Sequence, residues 1–190
     1  MDEVRVRDKE GTRKRILDAA RRLFAELGYE HVTMRLIAAE AGANIALINR
    51  YFGAKRELFA EVLAQQGRFP GVLDVRDEAD LPRALAEYVA DRLASDTGSP
   101  VVATLSRSSS SPEIHELIRD RVDSAILGPL QDRITGPDAR LRAGLATALI
   151  MGTGTLRQLF GADAVRDYDR EAVVDRLTAV FTACLTAPTR

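Results

Sequence analysis

Side chains that could read a nucleic acid lie close together in residues 33–58, which run TMRLIAAEAGANIALINRYFGAKREL. Asn49 and Arg50 supply an amide and a guanidinium, and these groups form paired hydrogen bonds with the edges of adenine and guanine. Ala46 supplies a methyl group of the size that packs against the methyl of thymine. The three side chains could act together only if one rigid element holds them on a single exposed face.

Two short helices joined by a tight turn would position these side chains. The first is predicted to start after Thr33 and the second after Asn44, because both side chains can cap a helix N-terminus. Such a pair shares a buried face only if a small residue lies at the closest approach, the turn residue accepts a positive φ, and a branched residue fills the corner. Ala38, Gly42 and Ile48 meet these three demands in that order. The pattern predicts a helix-turn-helix.

With Ile48 turned inward, the opposite side of the second helix is predicted to face solvent. The residues expected there are Ile45, Ala46, Asn49 and Arg50. The alternative is an ordinary helical corner inside a bundle. A corner of that kind rarely has a second helix so short with an asparagine and an arginine exposed on it, so a base-reading face is favoured.

The rest of the chain also has helical periodicity, and no alternating run of β-branched residues is long enough for a strand. We therefore predict an all-α protein of about nine helices. A three-helix DNA-binding domain with a connecting helix is expected over residues 1–66, and a larger helical domain over residues 67–190. Pro129 is expected to kink or split the helix that contains it. Helices are predicted near residues 12–27, 33–40, 44–50, 81–95, 100–108, 112–134, 138–160 and 170–185, and one more starts at Lys55 and precedes the turn-rich segment that begins at Gly67.

Composition narrows the function further. The 190 residues include one cysteine, Cys184, and two histidines, so neither an internal disulfide nor a zinc site built on these residues is expected. The N-terminus lacks the apolar centre of a signal peptide, and no apolar stretch reaches the length of a membrane span. The sequence thus predicts a cytoplasmic protein that uses no metal or cofactor and no membrane partner. No pattern of nucleophile and base predicts catalytic residues.

The formal net charge of −1 hides an asymmetry along the chain. Residues 1–68 hold 13 Lys and Arg against 10 Asp and Glu, whereas residues 69–190 hold 14 against 18. A polyanion partner requires cations gathered in one region rather than a high overall charge. The basic front third is consistent with nucleic-acid binding, although a solvated charged surface would give similar counts.

The first 65 or so residues resemble the DNA-binding domain of the TetR family of transcriptional regulators. The family usually has a phosphate-contacting tyrosine where this chain has Asn49, so Arg50 and Tyr51 are expected to take over that contact while Asn49 reads a base. The residues that carry the resemblance are Arg15-Ile16-Leu17-Asp18-Ala19-Ala20, Leu23-Phe24, Gly28-Tyr29, Thr33, Ile37-Ala38, Ala41-Gly42, Tyr51-Phe52-Gly53, Lys55 and Glu57-Leu58.

This resemblance implies which residues touch double-stranded operator DNA. The starts of two helices, at Thr33 and Lys55, also suit phosphates because unpaired backbone N–H groups point outward there. Arg35 could pair with a phosphate or reach a guanine. The implied contact residues are Thr33, Arg35, Asn44, Ile45, Ala46, Asn49, Arg50, Tyr51 and Lys55.

The stretch RSSSSPEIHELIRDRVDSAILGPL (residues 107–130) is followed by Gly136-Pro137-Asp138-Ala139 and by Leu141-Arg142-Ala143. With these residues the C-terminal part resembles a domain type common in actinobacterial members of the family. The resemblance to the family also implies an effector pocket among the middle helices. The apolar residues there, with few cations among them, predict a largely apolar small-molecule effector. The predicted pocket residues are Leu85, Val89, Leu93, Val102, Leu105, Leu117 and Ile118.

Two apolar stripes on the last two helices predict a homodimer that pairs through a four-helix bundle. The stripe residues are Leu141, Leu145, Leu149, Gly152 and Leu156 on one helix and Val173, Leu177 and Phe181 on the other. The alternative is that both stripes pack only inside the subunit.

Together these features predict a homodimeric repressor that binds a near-palindromic operator and is released by a small molecule. Two alternatives stay open at this point. One is an activator, or a repressor without ligand response, on the same fold. The other is an all-α enzyme or adaptor in which the N-terminal helices only form a scaffold.

Overall fold

The computed structural model describes residues 2–65, 71–94, 112–161 and 167–187, and these residues form helices and no strand. They group into two compact units. The first contains residues 2–65 and 112–118, and the second contains residues 71–94, 119–161 and 167–187. The predicted all-α class is therefore confirmed. The second unit differs from the predicted domain in that residues 112–118 belong to the first unit, where Ile114 is fully buried in the core.

The first unit begins with four helices: α1 (Asp2–Leu27), α2 (Met34–Ala41), α3 (Ile45–Phe52) and α4 (Lys55–Gln65). Then follow α5 (Leu81–Ala94), α6 (Pro112–Val122), a π-helical segment (Asp123–Leu127), α7 (Gly128–Arg133), α8 (Ala139–Phe160) and α9 (Arg170–Leu185). If α6, the π-helical segment and α7 are taken as one helix, the described ranges hold eight helices, close to the nine predicted. The helix predicted near residues 100–108 lies outside these ranges.

Aromatic rings form the centre of the first unit. Phe24 of α1 and Phe59 of α4 are fully buried and meet edge to face, with their ring centres 4.9 Å apart. Tyr29, in the segment after α1, lies at the same distance from Phe59. Ile37 of α2 and Ile48 of α3 are also fully buried against this cluster. The rings thus fix α2 and α3 on the longer helices α1 and α4.

Helix α5 packs along α9 at the centre of the second unit. Leu85 of α5 and Phe181 of α9 have no exposed surface, and Leu130 of α7 joins the same core. The inner face of α8 adds Ala143, Ala146 and the mostly buried Ile150.

The predicted effect of Pro129 appears just before it in the chain. Proline has no N–H to donate to the carbonyl four residues earlier, and its ring crowds that carbonyl. The helix widens into the π-helical segment at this point, and the N–H of Gly128 donates to the carbonyl of Asp123 instead. A wider turn accommodates the ring without ending the helix.

Candidate nucleic-acid interface

The cap and the turn of the predicted helix-turn-helix are both present. The Thr33 hydroxyl oxygen accepts a hydrogen bond from the N–H of Leu36 at 3.2 Å, which begins α2. Gly42 ends α2 in the left-handed conformation, with φ of 57°. The N–H of Ala43 then donates to the carbonyl of Ala38 at 2.9 Å. The chain reverses here because glycine adopts this conformation without strain.

Helix α3 presents one polar face. Its start is capped by Asn44, whose side-chain oxygen accepts from the N–H of Ala46 at 2.8 Å. The fully buried Ile48 anchors the helix on the core side. Ala46, Asn49 and Arg50 are exposed on the other side, three and four residues apart, as the sequence predicts. The amide, the guanidinium and the methyl group therefore lie together on one face.

Ile45, which the sequence predicts on this face, lies at its edge. Ile45 is partly buried and packs against the core of the first unit. It comes three residues before the buried Ile48 and four before the exposed Asn49, so it stands at the border between the two sides of the helix.

Arg35 and Arg50 have no carboxylate partner among the residues that the structure describes. Arg35, in the first turn of α2, and Arg50, in the last turn of α3, are both exposed. Elsewhere in the unit, Arg22 pairs with Glu40 at 2.6 Å. Arg35 and Arg50 thus remain open to an anionic partner such as the phosphate backbone of DNA.

Lys55 has a different environment from the one predicted. Its ammonium donates to the carbonyl oxygens of Tyr29 and Val32, each at 2.9 Å. It also lies 4.0 Å from the centre of the Tyr29 ring. Burial lowers the pKa of this ammonium, against the raising effect of Glu30. Two of its three N–H bonds are engaged within the domain, so only one is left for the phosphate contact that the resemblance implies.

Tyr51 lies at the border of the polar face. Its ring is partly buried against the core of the first unit, and its centre is 6.2 Å from that of Phe52 in an edge-on arrangement. A ring held in this way keeps its hydroxyl in a defined place, as a phosphate contact requires.

The predicted effector residues do not all come together. Leu85, Val89 and Leu93 form the buried face of α5 in the second unit. Leu117 and Ile118 instead pack against the core of the first unit. Val102 and Leu105 lie outside the described residues.

A small cavity of about 20 Å³ lies between α5 and α8 in the second unit. It includes two of the predicted residues, Val89 and Leu93. Arginines were not expected in such a cavity, yet two of them line it. Its other lining residues are Arg92, Ile150, Thr153, Gly154 and Arg157.

The predicted dimer stripe on α8 is open to solvent. Leu141, Leu145 and Leu156 are 63%, 50% and 43% exposed, although leucine is an apolar residue. Gly152 is exposed on the same side, and Leu149 is partly buried. The core residues of α8 occupy the opposite side of the helix. An exposed apolar stripe of this length is typical of a surface that another chain covers.

The predicted stripe on α9 needs one correction. Phe181 has no exposed surface because it faces α5 in the core of the subunit. Val173 and Leu177 are partly buried against the same core. The exposed apolar residue of that turn is Val180, at 46%.

Neither a membrane span nor a metal-binding cluster is found among the described residues. None of their helices combines the length and the apolar character needed to span a membrane. They also contain no group of three or more His, Cys, Asp or Glu side chains that could hold a metal ion.

Comparison of the chain with known families gives two matches. Residues 16–62 match the family model described as "Bacterial regulatory proteins, tetR family". Residues 79–185, more than half of the chain, match the one described as "Tetracyclin repressor-like, C-terminal domain".

Individual proteins show the same similarity. The chain is 48% identical over 60 residues to an HTH-type transcriptional repressor of Streptomyces coelicolor, a match that covers 32% of this chain and only 31% of that relative's length. It is 30% identical over 151 residues to the HTH-type transcriptional regulator BetI of Rhizobium meliloti, which covers 74% of each chain.

Among solved structures, NalD is similar in fold. NalD is the secondary repressor of the MexAB-OprM multidrug efflux pump in Pseudomonas aeruginosa. The TM-score is 0.68 at 22% identity, and the match covers 94% of this chain and 98% of NalD.

Proposed function

The chain belongs to the TetR family of transcriptional regulators, and we propose that it is a repressor that binds a near-palindromic operator as a homodimer and leaves it when a small molecule binds. The exposed face of α3 carries this proposal. Ala46, Asn49 and Arg50 stand there together, while Ile48 anchors the helix from behind. The alternative of an all-α enzyme has no support from the relatives, whose names describe transcriptional regulators.

Different side chains of α3 are suited to contact different bases. Asn49 can form two hydrogen bonds with adenine, and Arg50 can form two with guanine or one with a phosphate. Ala46, one turn earlier on the same face, is small enough for the helix to approach a thymine methyl. The half-buried Ile45 supports the first turn of the helix rather than reading a base.

Phosphate contacts would fix this helix in the major groove. Thr33 has its hydroxyl oxygen occupied by the cap of α2, but its O–H bond can still donate. Asn44 can likewise donate through its side-chain NH₂ while its oxygen caps α3. Arg35 adds a positive charge at the start of α2 that no described carboxylate neutralises, and Tyr51 adds a hydroxyl. Such contacts set the position of the domain without specifying a sequence.

Lys55 has a positioning role in this proposal. It ties the first residue of α4 to the segment between α1 and α2. That segment ends at Thr33, where α2 begins, so Lys55 helps to hold the start of the helix-turn-helix in place.

The exposed stripe of α8 supports the homodimer. A twofold axis brings the same stripe of two chains together, and Gly152 in its middle allows a close approach of the helices. Leu141, Leu145 and Leu156 would then lose their contact with water. A dimer also matches the twofold symmetry of a near-palindromic operator.

Selection of bound fragments from the source genome tests the proposal. We expect the recovered fragments to share one near-palindromic sequence close to the start of a gene. Recovery of fragments without a shared sequence would contradict specific operator binding. Repression and activation are then separated by transcription of the neighbouring gene with and without the protein.

A further inference from the structure

We propose that the cavity between α5 and α8 binds an organic carboxylate, so that the effector of the proposed repressor is an acid with an apolar body. This inference rests on the proposed function and specifies the class of its ligand.

The lining of the cavity is both cationic and apolar. Arg92 of α5 and Arg157 of α8 contribute the guanidinium groups. Val89, Leu93 and Ile150 contribute apolar surface, and no aspartate or glutamate is among the described lining residues. Arginine binds a carboxylate through two parallel charge-assisted hydrogen bonds. A molecule with one acidic end and an apolar remainder would satisfy both parts of the lining.

The charge of Arg92 is not neutralised within the described part of the chain. The carboxylates nearest to it along α5 are already paired: Glu87 with Arg83 at 3.1 Å, and Asp91 with Arg170 at 2.6 Å. The guanidinium of Arg92 instead lies over the ring of Tyr88, 5.4 Å from its centre. Stacking orients a guanidinium but leaves its positive charge available to an anion.

The cavity is too small for an organic acid, so a bound ligand would have to move the helices that line it. A volume of about 20 Å³ holds roughly one water molecule, so an organic acid fits only if α5 and α8 move apart. Ile150 and Arg157 line the cavity from one side of α8, whereas Leu156 is exposed in the proposed dimer stripe. A ligand that favours the widened form would thus displace the helix that carries the dimer contacts.

Hexanoate and hexan-1-ol provide a matched pair of probes, because they have the same apolar chain and differ in charge. We expect hexanoate to raise the melting temperature of the full-length chain and to weaken its binding to the selected operator, since one ligand must bias both equilibria. Hexan-1-ol at the same concentration is expected to do neither.

Variants of the lining test the assignment residue by residue. Arg92→Gln and Arg157→Gln should each weaken hexanoate binding at least tenfold while the chain stays folded, as judged by its melting temperature without ligand. Arg176→Gln, which removes an exposed charge from α9, is the control and should bind hexanoate as the wild type does.

Three results would overturn the inference: no binding of hexanoate to the wild-type chain, equal binding of hexan-1-ol, or unchanged binding of hexanoate by both variants of the lining. Operator binding is measured on the same preparations without any probe. If the chain does not bind the operator, the proposed repressor function is contradicted. The binding of hexanoate by the wild type and the variants still decides whether the cavity takes a carboxylate.

Discussion

The ammonium nitrogen of Lys55 lies 2.9 Å from the carbonyl oxygen of Tyr29 and 4.0 Å from the centre of the Tyr29 ring. One lysine thus contacts both the backbone and the side chain of the segment that precedes α2. A second hydrogen bond of 2.9 Å to the carbonyl of Val32 completes the arrangement. The start of α4 is thereby fastened to the residues that lead into the helix-turn-helix.

Lys55→Met should destabilise the domain without removing a phosphate contact. Two backbone carbonyls lose a charged donor, which is expected to lower the free energy of unfolding by about 1–3 kcal/mol. The slope of log affinity against log salt should stay as it is in the wild type, because no counterion release is lost. Urea unfolding and binding titrations at several salt concentrations measure the two quantities.

Arg35→Gln is the matched comparison, because it also removes one positive charge from the first unit. Stability should change by less than about 0.5 kcal/mol, since the side chain is exposed and unpaired among the described residues. The salt slope should become flatter by about 0.9 for each phosphate contact, hence by nearly two for a dimer. If Lys55→Met also flattens the slope of log affinity against log salt, Lys55 contacts a phosphate.

Asn49→Ala should relax specificity at one base pair of each half-site. The wild-type preference at that position is expected to be worth about 1–3 kcal/mol, because the amide forms paired hydrogen bonds with one base only. Affinities for operators with single substitutions measure this preference. Equal weakening on every sequence would mean that Asn49 contacts a phosphate instead.

The sequence predicted the helix-turn-helix in detail because local chemistry determines it. Thr33 and Asn44 cap their helices because each has a side-chain oxygen that accepts a backbone N–H. Gly42 adopts the left-handed conformation because it has no side chain to oppose it. The bounds of α9 were predicted for the same reason, since Asp169 caps its first turn through the N–H of Ala172.

Features that depend on tertiary contacts could not be predicted in this way. Lys55 turns inward because two carbonyls from a distant part of the chain lie within its reach. Phe181 satisfies the stripe pattern on α9, yet α5 covers it. Arg92 and Arg157 line the same cavity, but the sequence does not indicate that they lie close together. They are 65 positions apart, and neither belongs to a recognisable motif.

Leu156→Glu tests the dimer stripe. A carboxylate in a dry interface costs several kcal/mol, whereas at a surface position of the subunit it costs little. We expect a folded monomer by sedimentation, with weak binding to a half-site and much reduced affinity for the full operator. Leu27→Glu, at a leucine that is 42% exposed in the first unit, is the control and should remain dimeric. A dimeric Leu156→Glu protein would place this residue outside the interface.

Glu78→Ala should reduce stability only when the carboxylate is charged. The backbone N–H of Thr135 donates to it at 3.1 Å and the hydroxyl of Thr135 at 2.9 Å, and these bonds hold the pKa of Glu78 below its ordinary value. A lowered folded-state pKa adds stability above the unfolded pKa of about 4.3 and loses it as the pH falls through the folded value.

The difference between wild type and Glu78→Ala should therefore be present at pH 7 and shrink below about pH 4. Its size is expected to stay under about 1 kcal/mol, because the carboxylate is largely solvated. Urea unfolding at both pH values measures it, and Asp77→Ala serves as the control because Asp77 forms no side-chain capping bond. An equal difference at both pH values would show that the effect does not come from ionisation.

The central claim is that the exposed face of α3 reads DNA, and the most direct measurement is the affinity of the chain for its selected operator and for the same fragment with both half-sites scrambled. We predict tighter binding to the operator by a factor of at least 10³ at physiological salt, with log affinity for both fragments falling linearly with log salt. The double variant Asn49→Ala and Arg50→Ala should lose most of that factor. Equal affinity of the wild-type chain for both fragments, or binding that does not respond to salt, would contradict the account.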